Sequence, residues 1–385
     1  MLPEIYPKPS AFYQSPRFEG QRAELVAPDT DLSHVTLLNA DEALRARILS
    51  QLGLFKFRRF GRLHGEYLLQ NRCLLALDRH GVPLMLNCDA NDDWAMTSLF
   101  GEIEAHCTQP LFKLYRNALL EKWDEAPAAD GLVVLGATHA DHNFYHFSLC
   151  LLPLIRHFPD HTSTRIGLPA QCLERPFQLD LVRLTFGHRT IVALPDGARV
   201  RDPMLIYEPV TADAIRWLRK RTGLRAARGN RLIHIARRSS QTGRVGGCLE
   251  ETEAFLAFLA RHGFETVDFG VGTVLLMEQV ALLEGARVVL AAHGANMTNL
   301  AYLDPGVSVI EVMPYYWTYF SHMQIACAVG LPYVGVVCHD VNAGQNMVPD
   351  VASLEQALDL ALAATPAHER TGKFFPSEPE VACPW

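Results

Sequence analysis

From residue 231 to 363 the sequence alternates short apolar runs with amphipathic stretches, and few folds accommodate that pattern. Runs rich in Val, Ile, Leu and Ala predict strands over 232–236, 264–269, 287–292, 307–312 and 332–338. The stretches between and after them predict helices over 250–262 (stopped by Gly263), 273–285 (with Thr273 as capping residue), 319–329 and 351–363. A Gly-containing turn and a short helix come after the third run. Strands that are apolar on both faces and separated by helices belong in a parallel sheet covered on both sides, so an α/β, doubly wound architecture is expected.

A looser version of the same alternation lies upstream. Strands are expected at 131–136, 166–168 and 190–194, with helices over 144–157 (closed by Pro159) and 176–186. The boundary is placed between Pro209 and Arg228, around a basic helix at 212–221. The expected division is therefore 1–210, 211–365 and a tail 366–385, with the last helix free to cross back to the first domain. Residues 1–30 read as an irregular arm, 31–125 as mixed short runs such as 67–69 and 82–86, and Asp89-Ala90-Asn91-Asp92-Asp93 as a turn rather than a carboxylate site.

A chain of 385 residues, 49% hydrophobic and 20% charged, has enough apolar material for two cores. The net charge of −7, without a basic block, excludes a broad nucleic-acid surface. No run of apolar residues is long enough to span a bilayer, and the amino terminus lacks a charged-then-apolar leader. The 9 cysteines are scattered with no CxxC pair, so reduced thiols and a cytoplasmic location are expected, with peripheral association at a membrane face left open. No complete metal-ligand set stands out, and no metal or other cofactor is expected.

Ligands of such sheets bind beyond the carboxyl ends of the strands. One segment there carries Arg237 and Arg244 among Ser, Thr and Gly, a composition suited to a diphosphate; either arginine alone reads as a solvated surface group, and the two together point to an anion. The second is His293-Gly294-Ala295-Asn296-Met297-Thr298-Asn299, whose small residues let a ligand approach the backbone. Glu311 ends an apolar strand and fits either a ribose contact or a salt-bridged strand end. In the first half, His139, Asp141, His142, Asn143, Tyr145 and His146 come after a strand and enter a helix. That cluster suits general acid–base chemistry, a metal held by His142 and His146 four residues apart, or a histidine buried in packing. The aromatic run 315–320 suits stacking on a base or sugar, or packing between domains.

Ala236-Arg237, Arg244, Glu251 or Glu253, Gly263-Phe264, Glu278-Gln279, Ala286, His293-Gly294-Ala295, Thr298-Asn299, Pro305-Gly306 and Glu311 succeed one another in an order and spacing that resembles glycosyltransferase family 61. Upstream, Asn143-Phe144-Tyr145-His146 with Leu152-Pro153, and Pro176-Phe177-Gln178, extend the resemblance over roughly 130–345. The resemblance implies a GT-B fold, two Rossmann-like domains facing a central cleft, with no Asp-x-Asp metal motif. It implies an inverting transferase that takes a sugar from a nucleoside-diphosphate donor to a glycan or lipid-linked glycan acceptor in bacterial surface polysaccharide synthesis. On that reading Arg237, Arg244, His293, Gly294, Ala295, Asn296, Thr298, Asn299 and Glu311 serve the donor nucleotide, with Glu311 on the ribose. His146 or Asp141 is the base, and His139, Asn143 and Tyr145 face the acceptor. The chain departs from the pattern at Cys150, where the family often has an acid, and at Ala236, where it has Ser. Two rival readings are a metal-assisted hydrolase built on the 139–146 cluster and a non-catalytic sugar-nucleotide-binding relative.

Overall fold

In the computed structural model, six parallel strands form the sheet of the carboxy-terminal half, in the order Phe264–Val267, Arg228–Ile235, Ala286–Ala292, Ser308–Pro314, Tyr333–Cys338 and Val35–Leu38. The structure describes residues 17–24, 35–51, 57–64, 66–70, 73–77, 83–87, 128–130, 132–134, 143–158, 165–195, 197–202, 204–207, 210–237, 247–270, 274–315, 321–342 and 346–365. All five strands expected between 231 and 338 are present. The central ones are buried along their whole length, as continuous apolar runs require in a sheet covered on both faces.

Side chains alternate between those faces. Val288, Leu290, Ile310, Val312, Val334 and Val336 pack against Phe255, Phe258 and Leu259 of helix Glu253–His262 and Leu354, Ala357 and Leu358 of helix Val351–Ala364. Val289, Ala291, Val309 and Val337 turn the other way, into a core shared with Leu276, Val280, Leu300, Ile325 and Ala326. That second core also takes Phe147, Leu151, Ile155, Phe177, Leu181, Ile215 and Leu218, all from residues 143–222. The hydrophobic surface is therefore continuous across the division expected at residue 210.

A second element crosses it too. Val35–Leu38 pairs in parallel with Tyr333–Cys338 and closes the edge of the carboxy-terminal sheet. The last helix does not cross back; Val351–Ala364 stays on the sheet beside strands Ser308–Pro314 and Tyr333–Cys338. Its apolar face, with Leu354, Ala357, Leu358 and Ala361 buried, is spent there.

Helix ends obey local chemistry. Thr252 accepts a hydrogen bond from the Phe255 amide and starts helix Glu253–His262, and Gly263 ends it at φ 72°, where a side chain would be strained. The next helix begins later than expected, at Leu276. The Glu278 carboxylate accepts from the Leu275 amide at 3.1 Å, and Thr273 lies outside the described residues. The helix expected over 144–157 is instead a π-helical turn, His146–Leu151, followed by a 3-10 segment, Leu152–His157. Pro153 has no amide hydrogen to donate and breaks the α-helical ladder at that point.

Among the described residues, the amino-terminal half carries two sheets. One runs in the order Arg17–Glu24, Phe57–His64, Met204–Tyr207, Leu132–Val134, Arg165–Pro169, Thr190–Leu194, of which the last four are parallel and the first two antiparallel additions. The other is Pro83–Asn87, Cys73–Leu77, Glu66–Gln70, Arg199–Arg201, Ala128–Asp130, mostly antiparallel. The expected parallel layer is thus confined to four strands, and part of the expected irregular arm is a strand. Arg17–Glu24 has little apolar patterning; its partner Phe57–His64 supplies the ladder hydrogen bonds that local sequence does not announce.

Helix Ala212–Thr222 joins the halves. Thr211 caps its start, Gly223 its end, and Arg219 reaches the carbonyls of Ala301 and Leu303. Among the described residues, no helix is long and apolar enough to cross a membrane.

One close approach tests the sheet register. A Cβ at Gly229 would lie 2.6 Å from the Gly285 carbonyl oxygen and 2.7 Å from its Cα, and backbone cannot swing aside. Gly229→Ala is expected to lower stability by about 1–3 kcal/mol, read as a lower urea midpoint.

Candidate active site

Numbered within this sheet alone, the five strands from Arg228 onward run 2-1-3-4-5, so the strand order reverses between Arg228–Ile235 and Ala286–Ala292. Connections leave these two strands toward opposite faces, which opens a crevice at their carboxyl ends. Arg237 comes just after the first strand and His293 just after the second. The Arg237 guanidinium bridges the gap, its Nη1 donating to the carbonyls of His293 and, at 3.2 Å, Gly247. Gly294 makes room for it: a Cβ there would lie 2.8 Å from Arg237 Cζ and 3.2 Å from its Cδ. A cation is thereby fixed over a backbone turn, the arrangement that recognises a phosphate oxygen.

Beneath the crevice lies a buried polar network that the sequence signals only in part. Glu311 is fully buried. Its Oε1 is 2.6 Å from His293 Nδ1 and 2.8 Å from His322 Nδ1, and its Oε2 accepts from the Tyr333 hydroxyl at 2.6 Å. Burial alone would raise the carboxyl pKa. The adjacent His322 and the hydrogen bonds from both histidines more than reverse that and hold Glu311 well below the usual carboxylate range. Burial pushes His293 down, outweighing the contrary pull of Glu311, with His322 and Arg237 adding to the fall. Tyr333 is pushed up by burial and by the Glu311 charge.

His293, Glu311 and His322 offer ligand atoms within 4.8 Å of one another, a set of types that metals use. With three donors on one carboxylate, the cluster satisfies itself as a hydrogen-bond network. This geometry does not suit the expected ribose contact: both Glu311 oxygens are occupied by protein donors, and the side chain has no exposed surface.

Other expected donor residues separate into two groups. His293, Ala295 and Asn296 are partly exposed, and Gly294 sits against Arg237. Thr298 and Asn299 are fully buried. Asn299 Nδ2 donates to Gln279 Oε1 at 2.9 Å and to the Asn296 carbonyl at 3.1 Å, so this pair ties the turn to helix Leu276–Leu282. Asn299→Ala would leave the Gln279 oxygen without that donor and is expected to cost about 1–3 kcal/mol, measured by urea unfolding.

Of the first-half cluster, His139, Asp141 and His142 lie outside the described residues, as does Arg244. Asn143 caps the helical turn, its Oδ1 accepting from the Tyr145 amide at 2.9 Å. His146 is partly buried, with its Nδ1 3.7 Å from Cys150 Sγ. Tyr145 packs edge-on against the His322 ring, centroids 6.0 Å apart, and so brings the first-half segment to the Glu311 network. Of the aromatic run, Tyr315 stacks on His339, and 316–320 lie outside the described residues.

His322 and Tyr333 carry no signal of their own in the sequence. His322 sits in a mostly apolar helix and Tyr333 in an apolar strand, where a polar side chain reads as ordinary packing until Glu311 is known to lie beside it.

No curated protein matches the chain. Residues 144–310 match the family model described as Glycosyltransferase 61, a narrower span than the resemblance read from sequence. The match takes in the Tyr145 turn, Arg237 and His293-Gly294 and ends one residue before Glu311. Over that span the chain is similar to glycosyltransferase family 61, a family that implies glycosyltransferase activity on a sugar donor and an acceptor.

Proposed function

We propose that the protein is an inverting glycosyltransferase that uses a nucleoside-diphosphate sugar, with the diphosphate at the carboxyl ends of strands Arg228–Ile235 and Ala286–Ala292. The observation that carries this reading is Arg237, set across the crevice where the strand order reverses and seated over Gly294. A guanidinium held there offsets charge on a departing diphosphate, which is the main electrostatic demand of an in-line glycosyl displacement. Arg244, on the same segment after the strand, supplies a second cation, and the turn 294–296 lies against the donor. The Tyr145–His146 turn faces the acceptor from the other side of a GT-B type cleft. The acceptor is a glycan or lipid-linked glycan of a bacterial surface polysaccharide, glycosylated at the cytoplasmic side of the membrane.

Thermal-shift titration with UDP, GDP and CMP tests the donor half. UDP or GDP is expected to raise Tm in a saturable way, and at a hundredfold excess over Kd a single site contributes about 2.7 kcal/mol; stabilisation by CMP alone overturns the diphosphate donor. No stabilisation by any of the three overturns the reading. The Asn299→Ala protein should start from a lower Tm and keep the nucleotide-dependent increment, since Asn299 is buried beneath the turn.

A further inference from the structure

We propose that His293, held in one tautomer by Glu311, is the proton acceptor of the transfer reaction, and that His322 and Tyr333 complete the clamp on Glu311. The proposal rests on the glycosyltransferase reading above and assigns the base within it.

The argument is one of donor and acceptor capacity. An ionised carboxylate only accepts hydrogen bonds. Glu311 Oε1 lies 2.6 Å from His293 Nδ1 and 2.8 Å from His322 Nδ1, so in each neutral ring Nδ1 carries the hydrogen. Nε2 of each neutral ring is then a lone pair. In that form His293 cannot donate to a phosphate; it is set to accept a proton. Tyr333 takes the other carboxylate oxygen and fixes the plane of the group.

The two histidines are not equivalent. The His322 side chain is 3% exposed, whereas that of His293 is 15% exposed and lies directly after the strand end beside Arg237. His293 reaches the crevice, and His322 is a positioning residue. Among the described residues, the charged and titratable groups that act on His293 are Glu311 from strand Ser308–Pro314, His322 from helix Ser321–Val329 and Arg237 beyond strand Arg228–Ile235.

The base expected from sequence is Asp141 or His146. The position four residues after His146, where the family often has an acid, is Cys150, and a thiol 3.7 Å from Nδ1 is too weak a partner to fix a tautomer. At His293 the partner is a carboxylate oxygen, Glu311 Oε1, 2.6 Å from Nδ1.

In the step itself, the acceptor hydroxyl oxygen forms a bond to the anomeric carbon. The bond from that carbon to the diphosphate oxygen breaks, and the diphosphate leaves with the electron pair toward Arg237. The hydroxyl proton passes to His293 Nε2, Glu311 stabilises the imidazolium, and solvent takes the proton afterwards.

Two measurements test this. Long-range ¹H–¹⁵N NMR of the histidine-labelled full chain, assigned with His293→Asn and His322→Asn, needs no substrate. A hydrogen on Nδ1 facing Glu311 is expected at both rings, with the preference lost in Glu311→Gln. Nucleotide release from UDP-, GDP- and CMP-sugars is then compared among variants. His293→Asn keeps an N–H near the Nδ1 position but has no base; its kcat is expected to fall roughly 10²–10⁴-fold with little change in donor KM. Glu311→Gln should lower kcat in the same direction.

An Nε2–H tautomer at His293 overturns the proposal, as does wild-type kcat in His293→Asn while His146→Ala is inactive. Stoichiometric metal in the purified protein, lost in His293→Asn, would make the cluster a metal centre and overturns it as well. Nδ1–H tautomers in a protein that binds no nucleotide would sink the nucleotide-sugar reading and leave the proton-accepting dyad standing.

Discussion

Gly294→Ala is expected to weaken nucleotide binding about as severely as Arg237→Ala, although it adds one methyl group and removes no charge. The backbone at Gly294 is extended, with φ 166°, so alanine adopts it without strain. The effect is steric. The new Cβ would meet the Arg237 guanidinium carbon at 2.8 Å, so the side chain must leave the carbonyls of His293 and Gly247 that now hold it. Mispositioning one partner of a desolvated charge pair costs about 2–5 kcal/mol in binding, or a Kd higher by roughly 30-fold or more. The nucleotide-dependent rise in Tm should therefore vanish at concentrations that saturate the wild type.

Two controls sharpen the result. Because both substitutions act through the same guanidinium, the double variant should bind nucleotide no worse than Arg237→Ala alone; additive losses would show independent roles. Arg237→Lys should not rescue binding, since a single ammonium cannot bridge the carbonyls on both sides of the crevice and also present a planar fork to phosphate.

Glu311→Ala is the second large effect, and it concerns stability. The carboxylate has no exposed surface and takes three hydrogen bonds, so its removal leaves two imidazole N–H groups and a tyrosine hydroxyl buried without that acceptor. Breaking a buried charged network by removing one partner costs about 3–5 kcal/mol, and a lower urea midpoint of that size is expected. Glu311→Gln keeps the volume and one acceptor oxygen and should lose less. That makes it the better variant for kinetics.

The same network sets a pH dependence. The folded-state pKa of His293 lies below its ordinary 6.5, so the unfolded chain binds the extra proton first. Stability from that group is complete above pH 6.5 and declines as pH falls below it. Glu311 is likewise held below its ordinary 4.5, and its contribution is lost as pH drops through the folded value, below 4.5. Both act in one direction: acidification destabilises, beginning near the histidine value. Urea midpoints of the wild type should fall between pH 7 and 5, and the fall should shrink in His293→Asn. A flat profile in the wild type would contradict it.

The carboxy-terminal sheet was legible because its central strands are apolar on both faces and the helix Glu253–His262 carries its own stop at Gly263. Arg237 and His293-Gly294 were legible for a related reason: parallel strands bring the residues just beyond them to one edge, so order along the chain predicts proximity. Thr298 and Asn299 resemble ligand contacts in sequence because a polar residue after a strand looks the same whether it faces solvent or ties down the turn. Only the Gln279 amide, 2.9 Å from Asn299, decides it.

Local periodicity was enough to set the alternation of elements and the identity of the groups at the sheet's carboxyl edge, because both are written in residues close together along the chain. Packing decided the rest. It brought Val35–Leu38 to the far edge of a sheet whose next strand in sequence begins at Arg228. It merged the core of 143–222 with that sheet's second face. It also set His322 and Tyr333 around Glu311. One cause is common to all three: these contacts join residues remote in sequence or hidden in apolar elements, and their free energy arises only when folding removes water from both partners at once.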